Sequence, residues 1–148
     1  MVNAFKEIFE RDIDKVRQEI SLYSNETNIW RVSQSISNSG GNLCLHLIGN
    51  LKTYIGVGLA KVPYTRQRDL EFTRKNVPRE VLLQEIVEAK ELVTQGLNNL
   101  NDLQLNEPYP MLVWEKPTET SFTLIHLAVH LNYHLGQINY HRRLLDIP

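Results

Sequence analysis

The sequence predicts an all-α protein, a four-helix bundle with long connecting loops. Four stretches carry apolar residues three or four positions apart, which is the spacing of a helix that buries one side. Loops with glycine, proline or clustered charges separate these stretches. Alternating β-branched runs, which predict strands, are rare in the 148 residues. Helices of this kind bury their apolar sides against one another, so a bundle is the expected architecture.

Length, charge and cysteine content limit the class of protein. A chain of 148 residues fits a single domain, 1–148, with a core of ordinary size. The net charge of −1 provides no basic field, so we do not expect nucleic acid as a partner. The single cysteine, Cys44, excludes a disulfide framework and a cysteine-rich zinc module. The chain shows neither a signal sequence nor an apolar run of about 20 residues, so we expect a cytoplasmic protein without membrane association.

The first predicted helix runs from about Ala4 to Leu22, with Asn3 as its N-cap. Charged residues separate the members of its apolar face. These members are Phe5, Phe9, Ile13, Val16 and Ile20.

The second predicted helix runs from about Asn42 to Ala60 and has no polar face. It follows a loop, Ser24–Gly41, whose Ser39-Gly40-Gly41 end is expected to interrupt regular structure. A helix that is apolar nearly all round is usually buried on most sides. We therefore expect it in the core or in a subunit contact.

The third predicted helix begins at Asn76–Pro78 and carries an apolar stripe from Leu82 to Leu100. The linker before it, Lys61–Val77, is charged, and we expect its Arg66 and Arg68 to be solvated rather than bound to an anionic substrate.

A long connection with three prolines, Asn101–Thr120, leads to the fourth helix. Loops of this length are uncommon in compact domains and are often functional. Leu112–Trp114 could form a short extended piece within it. Thr120 or Ser121 can cap the fourth helix, which runs to about Leu145.

A cluster of histidines on the fourth helix carries the chemistry. Residues four apart lie on one face of a helix, about 5–6 Å apart at Cβ, so two such imidazoles can bind one ion. Each step of four drifts by about 40°, so three in succession cannot share an ion easily. A further ligand must come from another helix, where His46 is available. The histidines of the fourth helix are His126, His130, His134 and His141.

Packing is the alternative interpretation of these histidines. A single buried histidine is more often a hydrogen-bonded core residue than a ligand, but each buried ring needs partners for two nitrogens, which three rings in register on an apolar helix rarely find. Cys44 lies about 200° round the helix from His46 and is expected to be a small core residue. Trp30 and Trp114 could each cover a pocket, but each is expected to anchor a long loop to the core. A His-Glu-x-x-His motif and a glycine-rich phosphate loop are both absent from the sequence.

The carboxy-terminal pattern His-x-x-x-His-x-x-x-His-x-Gly-Gln resembles the DinB/YfiT-like superfamily of metalloenzymes. The blocks Leu45–Leu51 and Arg66–Phe72 resemble an uncharacterised bacterial branch of it, and the resemblance covers nearly the whole chain. It implies a four-helix bundle with up-down-down-up topology, often dimeric, with a metal held by three histidines.

On this resemblance the metal ligands are His46, His130 and His134, and His126 lies one turn before the pair. The ion would be a divalent transition metal, zinc or nickel above all. It would activate water or a small thiol, such as bacillithiol or mycothiol, for transfer or hydrolysis. No catalytic residue is assigned, although Tyr54 and His126 are candidates for a general base.

Two further points concern the orientation of the ligands and an alternative function. Asn132, Tyr133 or Gln137 could orient the metal ligands. A second hypothesis is a non-catalytic, metal-stabilised, dimeric helical module, linked like some members of the superfamily to stress or DNA damage.

Overall fold

The computed structural model describes residues 1–147 and confirms the all-α class. Pro148, the last residue of the predicted domain, lies outside the described residues. Between residues 1 and 147 the chain forms five α-helices and no β-strand, apart from isolated bridges at Ser33–Ile36 and Pro108–Glu119. The helices are α1 Val2–Leu22, α2 Gly40–Leu51 with a π-helical continuation over Lys52–Ala60, α3 Arg68–Thr73, α4 Arg79–Asn98 and α5 Thr120–Leu145. Short 3₁₀ turns occur at Glu26–Trp30 and Asp102–Asn106.

Helix α1 begins earlier than the sequence predicts, at Val2 instead of Ala4. The carboxylate of Asp102 accepts hydrogen bonds from the amino group of Met1 at 2.7 Å and from the backbone N–H of Val2 at 2.8 Å. Helix termini have unpaired N–H groups, and here a residue from beyond α4 pairs with one of them. The prediction that Asn3 is the N-cap is therefore wrong.

Helix α2 also begins early, because Gly40–Gly41 is helical instead of interrupting structure. The hydroxyl of Ser39 caps the helix by accepting the N–H of Asn42 at 3.1 Å. A Cβ on the first glycine would collide with the hydroxyl of Tyr23, and one on the second would lie 2.7 Å from the ring of Trp30. The glycines therefore allow close packing at this point.

The four long helices share one hydrophobic core. Helix α1 packs against α4 and α5, and α2 packs against the same two helices from the other side. Every residue of Gly40–Leu51 is buried, which confirms the prediction of a core helix. The predicted apolar face of α1 is buried as well.

By length and composition alone, the helix Gly40–Ala60 is long and apolar enough to cross a membrane. Within its most apolar window, 78% of the residues are buried inside the protein. Burial of this extent is typical of a helix in a protein core.

The linker and the long connection are more ordered than predicted. Helix α3 lies within the linker, where Asn42 donates from Nδ2 to the backbone oxygens of Glu71 at 3.0 Å and Arg74 at 2.8 Å. The extended piece expected at Leu112–Trp114 does not form, and the bridge lies at Pro108–Glu119 instead.

The start of α5 also differs from its predicted cap. Glu119 occupies the cap position, and the hydroxyl of Thr120 donates to the backbone oxygen of Glu107 at 2.9 Å. Thr120 therefore fastens the end of the connection to α5 and does not cap the helix.

Candidate metal centre

Two helices bring three histidines together. His46 projects from α2, and His130 and His134 project from successive turns of α5. The ring centroid of His46 lies 5.0 Å from the ring centroid of His130 and 5.0 Å from that of His134. The centroids of His130 and His134 are 4.6 Å apart. One nitrogen from each ring can be chosen so that all three lie within 4.8 Å of one another. This group, called the histidine cluster below, could hold a metal ion.

The cluster forms where the apolar helix α2 packs against α5. The spacing of four places His130 and His134 on one side of α5. The Nε2 atoms of His46 and His130 are 3.1 Å apart. The side chain of His46 is only 8% exposed, and His130 and His134 are half-buried. The rings are therefore largely removed from water but reachable from one side.

A carboxylate from α3 holds the other nitrogen of His46. Oε1 of Glu71 lies 2.9 Å from Nδ1 of His46. Arg66 donates to the same carboxylate twice, from Nε to Oε2 at 2.7 Å and from Nη2 to Oε1 at 2.8 Å. Burial alone would raise the pKa of Glu71, but the hydrogen bonds from Arg66 and His46 outweigh it and lower the pKa. Glu71 is therefore charged at neutral pH.

The ring of His134 is held by a neighbour on its own helix. Its Nδ1 lies 2.6 Å from Oε1 of Gln137, whose amide group donates to the hydroxyl of Tyr133 at 3.3 Å. An amide oxygen only accepts, so Nδ1 donates and Nε2 keeps its lone pair. Burial lowers the pKa of His134, so the ring favours its neutral form.

His130 is the least satisfied member of the cluster. Its Nδ1 is buried and has no hydrogen-bond partner among residues 1–147. Burial, followed by the neighbouring rings of His134 and His46, lowers the pKa of His130 to about 4. The ring is neutral at pH 7, and neutral imidazole is the form that binds metals.

His126 lies beside the cluster and is not one of its three members. Its ring stacks 6.4 Å from that of His130 and makes an edge contact with Trp114 at 4.6 Å. Trp114 is 36% exposed, so it covers His126 at the surface and does not anchor its loop in the core as predicted. Trp30 is buried, as predicted.

The residues expected to orient ligands or to act as a base have different positions. Gln137 contacts His134 as described, whereas Asn132 donates to Asp12 on α1 at 3.0 Å, so its predicted role is wrong. Tyr54 lies beside Arg66, whose guanidinium carbon Cζ is 5.8 Å from the centroid of the tyrosine ring.

The prediction for the linker arginines is half wrong. Arg68 is exposed, but the side chain of Arg66 is only 15% exposed because it pairs with Glu71. Cys44 is buried in the core as predicted, and burial raises the pKa of its thiol.

Glu71 is the residue that sequence reasoning missed. It is the only buried residue of α3, and it lies 25 positions from its partner His46 in the sequence. The available signal was an acidic residue in a basic linker, within the Arg66–Phe72 run. That signal does not distinguish a buried carboxylate from a solvated one.

The cluster offers three imidazoles, one of them backed by a charged carboxylate and a guanidinium group. Such a donor set suits a divalent transition ion. No curated protein matches the chain. A family model matches residues 1–146, nearly the whole sequence. The chain therefore belongs to the family described as "Protein of unknown function (DUF1572)".

Proposed function

We propose that this protein is a metal-dependent enzyme of the DinB superfamily in which His46, His130 and His134 hold a divalent transition ion, zinc or nickel. The ion activates water or a low-molecular-weight thiol for transfer or hydrolysis in the cytoplasm. The observation that carries the proposal is the approach of three histidine nitrogens from two helices to within 4.8 Å of one another. Three protein ligands with a fourth position for water or substrate are the usual set at catalytic zinc.

The separation of the ring nitrogens fits such an ion. Two zinc–nitrogen bonds of about 2.0–2.1 Å at a tetrahedral angle place the nitrogens about 3.3 Å apart. The Nε2 atoms of His46 and His130 are 3.1 Å apart. A packing role for His130 is disfavoured, because its Nδ1 has no partner among residues 1–147, whereas a buried histidine kept for packing normally has both nitrogens bonded.

The side chains around the cluster have distinct tasks in this proposal. When bound, the ion lowers the pKa of water or of a thiol, so that the nucleophile exists at neutral pH. Glu71 and Gln137 hold the rings of His46 and His134 in place. Trp114 and His126 form a wall on one side of the cluster.

An up-down-down-up bundle is part of the same proposal. Hydrogen bonds between the helices support parallel α1 and α5, parallel α2 and α4, and antiparallel α1 and α4. For α1 and α5 the contacts are Asp12–Asn132 and Glu19–Arg142. For α2 with its continuation and α4 they are Lys52–Glu88 and Leu59–Asn99. For α1 and α4 they are Glu10–Thr94 and Ser21–Arg79.

Metal analysis of protein purified without a histidine tag tests the site. We expect about one ion per chain in the wild type and none in His130→Ala. His126→Ala is the matched control, since it removes a histidine one turn earlier on the same helix, and it should keep the ion. A wild-type content below about 0.2 ion per chain would contradict the proposal.

A transfer assay with several small thiols and an electrophilic acceptor tests the reaction. The metal-loaded protein should form the thioether, and His134→Ala should not. Activity that survives both chelation and His134→Ala would contradict a metal-dependent mechanism.

A second candidate function is a non-catalytic, metal-stabilised homodimer, linked to stress or DNA damage. An apolar stripe on the outer side of α5 favours it, because exposed apolar patches often mark interaction surfaces. Each member is more than half exposed, and the members are Phe122, Ile125, Val129, Tyr133, Tyr140 and Leu144.

Sedimentation of the wild type and of Val129→Glu tests this candidate. We expect a dimer that the charged variant converts to a monomer. A monomeric wild type at micromolar concentration would contradict it, whereas unfolding upon chelation without any activity would favour it over the enzyme.

A further inference from the structure

We infer that Glu71 is a positioning residue for the proposed metal site: together with Arg66 and Gly49, it fixes the tautomer and orientation of the His46 ring. The inference rests on the proposed function for its purpose, but its structural part stands on the contacts of α2 with the linker.

The tautomer follows from the chemistry of the two partners. An ionised carboxylate only accepts, so the 2.9 Å contact requires a proton on Nδ1 of His46. When the ring is neutral, this tautomer has its lone pair on Nε2, which is the atom that faces His130. Nη2 of Arg66 lies 3.4 Å from the same Nδ1. In this tautomer both atoms are donors, so the contact is only an approach, and Glu71 is the partner of Nδ1.

Arg66 keeps the carboxylate charged and in place. Two short bonds, 2.7 Å and 2.8 Å, join the planar guanidinium group to both oxygens of Glu71. Paired hydrogen bonds of this kind fix geometry as well as charge. Hydrogen bonding to a charged carboxylate also makes the imidazole a stronger metal ligand. The set is complete in the chain itself, so His46 is held before any ion binds.

Gly49 provides the space in which the carboxylate lies. A Cβ at this position would stand 2.8 Å from Cδ of Glu71 and closer still to Oε2. The carboxylate would have to move, and its two bonds to Arg66 oppose that movement. Gly49, one turn after His46 on α2, therefore permits the linker to reach the ring.

Zinc titration with a competing chelator tests the inference on the full chain. Glu71→Gln should weaken Zn²⁺ binding by about 10–100-fold relative to the wild type. Glu19→Gln is the matched control, because Glu19 is also a largely buried glutamate paired with an arginine, at 2.7 Å from Arg142. It should leave the affinity unchanged. Equal affinities of the wild type and Glu71→Gln would overturn the inference.

Gly49→Ala supplies a second variant that keeps every polar atom. It should weaken Zn²⁺ binding in the same direction, because the added methyl group displaces the carboxylate. Gly136→Ala is its control, since a Cβ there meets no atom of the described residues within 4 Å other than its chain neighbours and the backbone of its own helix. Unchanged affinity in Gly49→Ala would overturn the role given to Gly49.

Nitrogen-15 NMR of the metal-free wild type separates the inference from the proposed function. The ring of His46 should show the proton on Nδ1, and Glu71→Gln should redistribute the tautomers. A wild-type ring with its proton on Nε2 would overturn the inference without any variant. Absence of Zn²⁺ binding by the wild type, with the proton on Nδ1, would instead overturn the proposed function.

Discussion

Two histidine networks that involve the same helix differ in how completely their nitrogens are paired. Near the end of α5, Nδ1 of His141 lies 2.6 Å from the hydroxyl of Tyr23, and Nε2 lies 2.8 Å from the backbone oxygen of Arg31. A carbonyl only accepts, so Nε2 donates and Nδ1 receives the tyrosine proton. His130, earlier on the helix, faces another imidazole through Nε2 and leaves Nδ1 without a partner among residues 1–147.

The difference separates packing from chemistry. A ring with both nitrogens bonded has no lone pair to offer a ligand, so His141 ties the end of α5 to the loop after α1. A ring whose only polar neighbours are other imidazoles is suited to an ion. The comparison therefore distinguishes histidines that look equivalent in the sequence.

Removal of a cluster member should have the largest effect. His130→Ala is expected to weaken Zn²⁺ binding by at least about 100-fold, because one of the three proposed ligands is lost. It should also abolish the rise in melting temperature that zinc causes by mass action. Calorimetric titration measures the first effect and thermal unfolding the second. His141→Ala is the control, and an equal loss of affinity there would break the comparison.

Loss of the paired histidine should cost folding stability instead. His141→Ala leaves the Tyr23 hydroxyl and the Arg31 carbonyl without partners, at a cost of about 1–3 kcal/mol each. Urea unfolding in the presence of a chelator should show a decrease of about 2–4 kcal/mol. Tyr140→Ala, an exposed neighbour, should change stability far less. A decrease below about 1 kcal/mol would mean that the network is not structural.

The carboxy-terminal end that contains His141 should also show a pH dependence. Burial would raise the pKa of Asp146, but hydrogen bonds from Asn28, Ser24 and Asn25 lower it to about 2. Since this value lies below the unfolded one of about 3.9, the carboxylate stabilises the fold above that pH. The contribution is lost as the pH falls from about 4 towards 2.

The variant Asp146→Asn isolates this contribution. We expect a loss of about 1 kcal/mol at pH 7, reduced from the usual value because the group is partly exposed. The difference from the wild type should shrink towards zero near pH 2, as urea unfolding at several pH values can show. A constant difference across this range would contradict the assignment.

The smallest effect is expected between the two networks. Gly136 lies on α5 after His134, and a Cβ at this position would meet no atom of the described residues within 4 Å other than its chain neighbours and the backbone of its own helix. Gly136→Ala should stabilise the monomer by about 0.5–1 kcal/mol, because alanine loses less entropy in a helix. Chemical denaturation at low protein concentration measures this. Destabilisation that appears only at high concentration would indicate that the residue lies in a contact between copies.

The helices were predictable because their apolar spacing reflects burial. The stripe of α1 and the wholly apolar α2 need no knowledge of partners. The early starts of α1 and α2 were not predictable, because they depend on Asp102 and on the fit of Gly40–Gly41 against Tyr23 and Trp30. Tertiary contacts decide those ends, and the local sequence does not encode them.

The candidate site was predictable only in part. Helical spacing allowed either adjacent pair among His126, His130 and His134, and the resemblance selected His130 and His134 together with His46. Glu71 and Arg66 were not predictable, since a charged linker usually stays in solvent. The continuation Lys52–Ala60 is π-helical, so a wheel drawn at 3.6 residues per turn assigns its faces incorrectly.

The long sequence separation of the cluster has a consequence for folding kinetics. His46 and His130 are 84 residues apart, so they meet only after α2 and α5 have packed. An ion can bind only when its three ligands stand together, and this geometry is absent from the unfolded chain. A bound ion should therefore slow the escape from the native state and leave the rate of folding almost unchanged. The ion would then set the lifetime of the native state rather than the speed at which that state forms.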